Sequence, residues 1–128
     1  MIIGIGVDLV DIARFAETIE KTPKLRERLF TPAEREKPAR SLAARYAAKE
    51  ALIKALGGSD GVYWYEIDVV QDAEGKPSFA LSGSTAATVV NRGITGLHVS
   101  MSHDGGMATA YVIAESTRTG GTFNVRNA

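Results

Sequence analysis

The spacing of hydrophobic residues changes once within the first 23 positions. Residues 2–9 are mostly β-branched or aliphatic, with two glycines among them, and this run predicts a strand. Apolar residues then recur at helical spacing through residues 12–19, and Asp11 stands where a side chain caps a helix. Pro23 predicts the end of that helix. The chain therefore opens with a strand that leads directly into a helix.

A second helical pattern fills the middle of the chain. Residues 31–34, Thr-Pro-Ala-Glu, have the form of a capping box with proline at the first helical position, so we expect a helix to begin there. Ser41 is the expected cap of a longer helix that runs to about Leu56 and stops at the Gly57-Gly58 pair. Bulky apolar residues occupy one broad face of this central helix and alanines fill most of the rest, so almost no polar face remains.

The second half of the chain alternates between strand and turn signals. The predicted elements are strands at 62–70, 78–81, 97–103 and 108–114, a turn at 75–77, a short helix at 84–91 and a hairpin turn at 104–106. The tail from Ser116 is polar and predicts a loop or arm. We expect an α+β fold with an antiparallel sheet and the long central helix packed on it. Residues 1–115 form one domain in this interpretation, and residues 116–128 form a polar C-terminal arm.

Composition narrows the class of protein. At 128 residues the chain is one domain by size, and a net charge of zero gives no general attraction to nucleic acid or membrane. The absence of cysteine excludes disulfides, thiol nucleophiles and cysteine metal sites, and it fits a cytoplasmic protein. No stretch approaches the roughly 20 apolar residues of a membrane span. The apolar start lacks a basic lead and is interpreted as a strand, not a signal peptide.

The central helix carries four charged residues where a packed helix rarely has them. Glu50 and Lys54 lie between the bulky and the alanine faces, while Arg45 and Lys49 lie within the bulky apolar sector. A buried charge needs a partner, a metal or a ligand. For Glu50 and Lys54 the structural alternative is an i,i+4 ion pair. For Arg45 and Lys49 it is a side chain that reaches from the packed face to water.

Two acids follow the first predicted strand. Asp11 is best explained as a helix cap, whereas Asp8 fits a strand-end residue and a metal ligand equally well. One helix-borne carboxylate, Glu50, with one strand-end carboxylate, Asp8, is a minimal Mg²⁺ site, since Mg²⁺ takes one or two carboxylates and completes its shell with phosphates and water. Nearby lysine and arginine side chains suit a phosphate-bearing substrate.

The two histidines do not form a recognised catalytic or metal motif. A Ser-His-Asp triad at residues 102–104 is rejected, because adjacent strand residues point to opposite faces of a sheet. Two histidines five residues apart, His98 and His103, are too few donors for a zinc site. We interpret His98, in the middle of its strand, as structural.

Five segments together resemble the holo-acyl-carrier-protein synthases, the small 4′-phosphopantetheinyl transferases. These segments are residues 4–12, 30–36, 42–57, 75–77 and 98–103. They come in the order of the family and span the chain to about residue 115. The resemblance implies an α+β 4′-phosphopantetheinyl transferase fold that assembles as a homotrimer with active sites at subunit interfaces. It also implies transfer of phosphopantetheine from coenzyme A to a serine of an acyl carrier protein or of a carrier domain in a fatty acid synthase. Adenosine 3′,5′-bisphosphate is released, in support of fatty acid biosynthesis.

The resemblance also implies roles for individual residues. By position, Asp8, Glu50 and Lys54 match the catalytic residues. Asp8 and Glu50 match the ligands of Mg²⁺, for which Mn²⁺ is the alternative ion. Lys54 matches the residue that contacts the pyrophosphate of coenzyme A and that can neutralise or protonate the leaving group. Two other enzyme and binding classes use the same residue set. A magnesium-dependent phosphodiester hydrolase would need no carrier protein, and a coenzyme A-binding module would show no turnover.

Four further residues are implied in substrate binding. Arg45, Ser102 and His103 match contacts to coenzyme A, and Arg14 matches a residue that docks the acidic carrier. The segment before Arg45 is shorter and less basic than in many relatives, where it helps to hold the 3′-phosphate. Arg40 or a neighbouring subunit would have to supply that contact.

Overall fold

The computed structural model describes residues 1–117 and 123–126. The strands are β1 Ile2–Asp11, β2 Ile67–Gln71, β3 Pro77–Ser82, β4 Gly96–Asp104, β5 Met107–Glu115 and β6 Asn124–Arg126, and the helices are α1 Ile12–Lys21, α2 Lys24–Leu29, α3 Ala39–Leu56 and α4 Gly83–Asn91. The strands form two three-stranded sheets, in the orders β1-β5-β4 and β2-β3-β6. The predicted α+β class with a long central helix is confirmed.

All strand pairs are antiparallel except the last. β1 and β4 both pair antiparallel with β5, and β2 pairs antiparallel with β3, as the alternating pattern predicts. β6 instead lies parallel to β3 along residues 124–126. The expectation of an antiparallel fold therefore holds for the domain but not for this C-terminal strand.

The central helix approaches the first strand more closely than ordinary side chains allow. A β-carbon on Gly4 would lie 1.9 Å from the carbonyl oxygen of Ala55, and one on Gly6 would lie 1.8 Å from the carbonyl oxygen of Ala51. Glycine on the strand and alanine on the helix thus let the two backbones touch. This contact places the carboxyl-terminal half of α3 beside β1, which is where the candidate acids lie.

Two of the three predicted helix caps in α1 and α3 are confirmed. Asp11 caps α1, since its side chain accepts a hydrogen bond from the Arg14 backbone nitrogen at 2.9 Å. Gly57 ends α3 in the left-handed conformation, with φ of 86°. The expected cap at Ser41 is wrong, because α3 already begins at Ala39, after Pro38, and the Ser41 hydroxyl accepts a hydrogen bond from Arg45 instead.

Turns replace one predicted helix and shorten one predicted strand. Residues 31–34 start a series of turns instead of a helix, although Glu34 still accepts a hydrogen bond from the Thr31 backbone nitrogen at 3.1 Å. The strand expected at 62–70 begins only at Ile67, because Trp64–Glu66 forms a 3₁₀ turn. In the tail, the expected loop or arm contains β6, and residues 118–122 and 127–128 lie outside the described part of the chain.

The first sheet has one buried and one open face. Its inner face packs on α3 through small and aliphatic residues that are fully or almost fully buried. The outer face exposes a row of large apolar side chains on two paired strands: Ile3, Ile5, Val7, Leu9, Tyr111 and Ile113. In the described residues no helix has the length and apolar character that crossing a membrane requires.

Candidate active site

Asp8 and Glu50 line one surface cavity of about 470 Å³, called here the carboxylate cavity. Its lining consists of Asp8, Leu9, Val10, Asp11, Arg14, Phe15, Thr18, Leu25, Leu29, Tyr46 and Glu50. The strand β1 supplies the first acid and α3 supplies the second, so the glycine contact between these elements brings the two together. The structure thus joins two residues that are 42 positions apart and that were selected from the sequence as one site.

Lys54 pairs with the strand and not with its own helix. Its ammonium lies 3.2 Å from Asp8 Oδ1 and donates a hydrogen bond of 2.9 Å to the Val7 carbonyl oxygen. The i,i+4 pair with Glu50 that spacing allows is not the contact in the structure. The Lys54 side chain is 57 % exposed, so it can change partner when an anion binds nearby.

Glu50 is held by two neutral donors. The Tyr46 hydroxyl donates to Glu50 Oε1 at 2.9 Å, and the Trp64 indole N–H donates to Oε2 at 3.3 Å. Burial, followed by the hydrogen bond from Tyr46 to Glu50, raises the pKa of Tyr46 well above its usual value. Tyr46 therefore stays protonated, and remains a donor, at any physiological pH.

The donor set suits a hard cation that brings other ligands with it. Within residues 1–117 and 123–126, no group of three or more histidine, cysteine, aspartate or glutamate side chains is placed to hold a metal ion. Three acids line the cavity, and one of them, Asp11, caps α1. The other two fit Mg²⁺, whose remaining positions are commonly filled by substrate phosphates and water. Asp8 and Glu50 are therefore the residues that could hold such an ion.

Lys49 is buried in a network that fixes the same helix. Its ammonium is fully buried and donates to Glu34 Oε1 at 2.5 Å, to the Leu29 carbonyl at 2.7 Å and to the Trp64 carbonyl at 3.1 Å. Burial lowers the pKa of Lys49 to about 8, while the Glu34 carboxylate opposes that shift. Lys49 is therefore a buried charge with a protein partner, and not a side chain that reaches from the packed face to water.

Arg45 joins this network and also faces a second cavity. Its Nε lies 3.7 Å from Glu34 Oε2 and donates to the Val69 carbonyl at 3.3 Å. Arg45 is buried, so it does not reach out to water as the alternative interpretation required. Its guanidinium also donates to the Ser41 hydroxyl, which holds it in place.

The second cavity, called here the arginine cavity, has a volume of about 580 Å³. It is lined by Pro38, Arg40, Ser41, Ala44, Arg45, Gln71, Gly75, Pro77, Met101, Ser102 and His103. Three of the four residues that the resemblance assigns to coenzyme A, Arg45, Ser102 and His103, line it together with Arg40, the residue named for the 3′-phosphate. The fourth, Lys54, does not line this cavity. The two cavities share no lining residue. The predicted site residues therefore fall in different places. Asp8, Glu50 and Arg14 line the carboxylate cavity, whereas Lys54 lines neither cavity and contacts Asp8.

The basic residues of the first third have different roles. Arg14 is exposed at the edge of the carboxylate cavity, at the start of α1. Arg26 donates to the Arg35 carbonyl at 2.7 Å, and Arg35 donates to the Phe30 carbonyl at 3.2 Å, so both cations stabilise the turns after α2. Arg14 is thus better placed than Arg26 or Arg35 to meet a partner.

His98 is not part of either cavity. Its Nε2 lies 2.7 Å from Glu115 Oε1 on the outer side of the first sheet. The structural role expected for His98 is compatible with this contact.

Sequence patterns did not single out three polar groups: Tyr46 and Trp64 next to Glu50, and Asp68 near the buried Lys49. Tyr46 was counted only as a bulky apolar residue, although its position one turn before Glu50 was a usable signal. Trp64 lies 14 positions after Glu50 and donates a hydrogen bond to it. Asp68 is buried and accepts hydrogen bonds from Thr31 at 3.2 Å and from Arg126 at 2.5 Å. No local pattern could have identified these two long-range partners.

The comparisons with known proteins identify the family of the chain. A profile of the 4′-phosphopantetheinyl transferase superfamily matches residues 4–114. The chain belongs to this superfamily. A curated protein named holo-[acyl-carrier-protein] synthase from Clavibacter sepedonicus is 61 % identical over 115 residues, which cover 90 % of this chain and 97 % of that protein.

Solved structures give the same result for the fold. The holo-[acyl-carrier-protein] synthase of Neisseria meningitidis matches with a TM-score of 0.84 and 34 % identity, covering 91 % of this chain and 100 % of that chain. The Helicobacter pylori enzyme, solved in complex with coenzyme A, matches with a TM-score of 0.77 and 30 % identity over 87 % of this chain and 99 % of that chain. The family assignment made from five short segments is confirmed. As a member of the superfamily, the chain has every predicted site residue inside the matched range, whereas β6 lies beyond it.

Proposed function

We propose that this chain transfers the 4′-phosphopantetheine group from coenzyme A to a serine of an acyl carrier protein or of a carrier domain in a fatty acid synthase. The reaction releases adenosine 3′,5′-bisphosphate and serves fatty acid biosynthesis. The observation that carries the proposal is the carboxylate cavity, with Asp8 and Glu50 on one wall, in a chain of the 4′-phosphopantetheinyl transferase superfamily. A cytoplasmic location is part of the proposal, and the absence of cysteine is compatible with it.

Asp8 and Glu50 would hold Mg²⁺, with Mn²⁺ as the alternative ion. When bound, the cation supplies Lewis-acid polarisation of the coenzyme A pyrophosphate and neutralises charge there. The two carboxylates approach from different elements, so together they set where the diphosphate lies relative to β1 and α3. Positioning of this kind provides most of the catalysis in phosphoryl transfer.

Lys54 would neutralise the charge that develops on the leaving phosphate. It lies beside Asp8, and its exposed ammonium can leave that carboxylate and donate to a phosphate oxygen. The serine oxygen of the carrier forms the new bond to the β-phosphorus as the phosphoanhydride bond breaks. The serine proton passes to a water or to a carboxylate of the cavity, and Lys54 can donate to the departing adenosine 3′,5′-bisphosphate.

The arginine cavity would bind the nucleotide end of coenzyme A. Arg45 presents a fixed guanidinium, and Ser102 and His103 offer further polar contacts in the same cavity. Arg40 is exposed at this cavity and is the cation that we assign to the 3′-phosphate. Arg40 would replace the basic groups that the short segment before Arg45 lacks.

A homotrimer would complete the site. The carboxylate and arginine cavities have no lining residue in common, and the first sheet exposes an apolar row on its outer face. Exposed apolar patches of this kind mark protein–protein interfaces. We therefore propose that the carboxylate cavity of one copy and the arginine cavity of its neighbour form one active site at the subunit interface.

The test is a carrier-modification assay read by mass spectrometry. The protein is incubated with an apo acyl carrier protein, coenzyme A and Mg²⁺, and the carrier is expected to gain the mass of one phosphopantetheine group. Asp8→Asn and Glu50→Gln should each lower the rate by about a hundredfold or more, since each removes several kcal/mol of charge stabilisation. Asp60→Asn and Glu74→Gln, at exposed acids outside both cavities, are the matched controls.

The outcomes separate the competing classes. Cleavage of coenzyme A without modification of the carrier would indicate a phosphodiester hydrolase. Binding of coenzyme A with no product at all would indicate a binding module. Normal turnover by Asp8→Asn and Glu50→Gln would disprove the assigned role of the carboxylate cavity.

A further inference from the structure

Both oxygens of Glu50 are already engaged by donors that carry no charge. Tyr46 donates to Oε1 and Trp64 donates to Oε2, at 2.9 and 3.3 Å. A carboxylate oxygen has two lone-pair sites, so each oxygen keeps one free for another ligand. The two hydrogen bonds therefore orient the carboxylate and leave lone pairs on both oxygens for a cation.

The two donors are themselves held in place. The Tyr46 ring stacks on Phe15 with 5.1 Å between ring centroids, and Phe15 in turn makes an edge contact with Phe30 at 6.1 Å. The carbonyl of Trp64 accepts a hydrogen bond from the buried ammonium of Lys49 at 3.1 Å. The first donor, Tyr46, is therefore held by aromatic packing against Phe15 of α1. The second donor, Trp64, is held by the Lys49–Glu34 network.

Asp8 is held differently. Its partner is the charged and largely exposed Lys54, so its carboxylate must give up or share an ion pair when a cation arrives. Of the two candidate ligands, Glu50 is thus the one that the fold orients in advance. Residues that orient a metal ligand by hydrogen bonds influence metal affinity without touching the metal.

We propose that Tyr46 and Trp64 are positioning residues that orient Glu50 toward the divalent cation of the carboxylate cavity. The proposal rests on the proposed function, since it assumes that Glu50 is a metal ligand. Both residues act through Glu50 and not on the reacting atoms. Together they set how tightly the cation is bound, so their loss changes the metal concentration that the enzyme requires.

The matched variants are Tyr46→Phe and Trp64→Phe. The first keeps the stacked ring and removes only the hydroxyl, and the second keeps an aromatic ring and removes the indole N–H. Substitution of such hydrogen-bonding partners lowers metal affinity about 10–100-fold. We expect each variant to raise by about tenfold the Mg²⁺ concentration for half-maximal rate, with the rate at saturating Mg²⁺ within about threefold of the parent. Tyr65→Phe, which removes a hydroxyl from an exposed neighbouring ring, should change neither quantity.

A second readout does not depend on turnover. Mn²⁺ is titrated into the protein saturated with coenzyme A, and bound ion is measured by water proton relaxation, with coenzyme A alone as the blank. The Mn²⁺ dissociation constant should rise by about tenfold in Tyr46→Phe and in Trp64→Phe. Thermal unfolding of each variant shows that it is folded.

Two results would overturn the proposal. One is an unchanged Mn²⁺ dissociation constant in both variants, whatever happens to the rate. The other is a rate at saturating Mg²⁺ that falls as far as in Glu50→Gln, which would make Tyr46 or Trp64 catalytic. If Trp64→Phe does not fold, Tyr46→Phe alone decides the matter. Suppose that the parent protein binds Mn²⁺ more tightly than the two variants and yet modifies no carrier. In that case the proposed function fails and the positioning role stands.

Discussion

At the residue scale, the charged positions of α3 show how one helix serves both stability and chemistry. Lys49 and Arg45 point into the protein, where Glu34 and three backbone carbonyls satisfy them. Glu50 lines the carboxylate cavity, and Lys54 contacts β1 at Val7 and Asp8. Helical spacing identified all four charges as unusual, but it could not tell which had a protein partner.

The buried pair of Lys49 and Glu34 leads to a stability prediction. Lys49→Met removes the cation and leaves Glu34 buried against Arg45 at 3.7 Å and two backbone N–H groups. Breaking a buried pair on one side costs about 3–5 kcal/mol. We expect the melting temperature to fall by about 10–20 °C in a thermal unfolding experiment.

Two comparisons make the Lys49 test specific. Lys24→Met, at an exposed lysine on α2, should change stability by no more than about 0.5 kcal/mol. The double variant Lys49→Met with Glu34→Gln should recover part of the loss, because the unpaired charge is gone. A single variant as stable as the parent would show that the pair contributes nothing net to folding.

Arg14 carries the prediction about the carrier protein. It is exposed at the edge of the carboxylate cavity, where an acidic carrier would bring its serine to the pyrophosphate. Arg14→Glu should raise the KM for the carrier about tenfold or more, equivalent to about 1.4 kcal/mol, and leave the KM for coenzyme A unchanged. Steady-state kinetics with each substrate varied in turn measures both values.

Salt and a second charge reversal test the same idea. The effect of Arg14→Glu should shrink as ionic strength rises, because exposed charges are screened. Lys76→Glu, at the exposed turn between β2 and β3, should leave the KM for the carrier unchanged. An equal rise in both KM values for Arg14→Glu would count against a docking role.

At the element scale, the contact between β1 and α3 decides where the site forms. The alanine-rich face of α3 is explained by this contact, since Ala51 and Ala55 lie directly against the glycines of β1. The sequence predicted the strand, the helix and the two acids separately. It could not predict that the strand would lie at this point of the helix, because the contact depends on backbone approach between distant segments.

The close approach makes Gly6 the position to test. Gly6→Ala would place a methyl group 1.8 Å from the Ala51 carbonyl oxygen, so the strand or the helix must move. Overpacking of this kind costs about 3 kcal/mol or more when backbone is the obstacle. Transfer activity should fall further than the folded fraction, because any shift separates Asp8 from Glu50.

The same substitution at another glycine provides the control. Gly75 has a φ of 84° and nothing within 4 Å of an added β-carbon, so Gly75→Ala carries only backbone strain of about 1–2 kcal/mol. Chemical denaturation of both variants gives the two costs. If Gly6→Ala costs no more than Gly75→Ala, the packing explanation for the glycines of β1 is wrong.

The sequence predicted some local features correctly and others not. Asp11 was identified as a cap from its neighbours alone, and the structure agrees. Ser41 was identified in the same way, but Pro38 starts the helix earlier. Strand β6 pairs with β3 across more than 40 residues of chain, and its Arg126 meets the buried Asp68. Local patterns predicted most of the elements, whereas β6 depends on long-range pairing that they do not contain.

At the scale of the whole molecule, the outer face of the first sheet exposes a row of large apolar side chains. Ile5 and Leu9 are each 63 % exposed, and Tyr111 on the neighbouring strand is 56 % exposed. Val7 pairs directly with Tyr111, so the row is continuous across β1 and β5. A monomer would leave this face in water, whereas a closed homo-oligomer would bury it.

The proposed trimer predicts both a mass and a loss of function. The parent protein should sediment at three times the chain mass of 13.6 kDa at micromolar concentration. Ile5→Asp places a charge on the exposed row without disturbing the buried face of β1, so the chain should stay folded while the assembly dissociates. Val90→Asp, at a valine of α4 that is 55 % exposed, is the control and should remain a trimer.

The kinetic half of this prediction links assembly to the site. If the active site joins the carboxylate cavity of one copy to the arginine cavity of another, Ile5→Asp should lose transfer activity although neither cavity contains Ile5. Mixing two inactive proteins, Glu50→Gln and Arg45→Ala, should then restore part of the activity, since some interfaces combine an intact carboxylate cavity with an intact arginine cavity. A fully active monomer, or a mixture that stays as inactive as its components, would place the whole site within one chain.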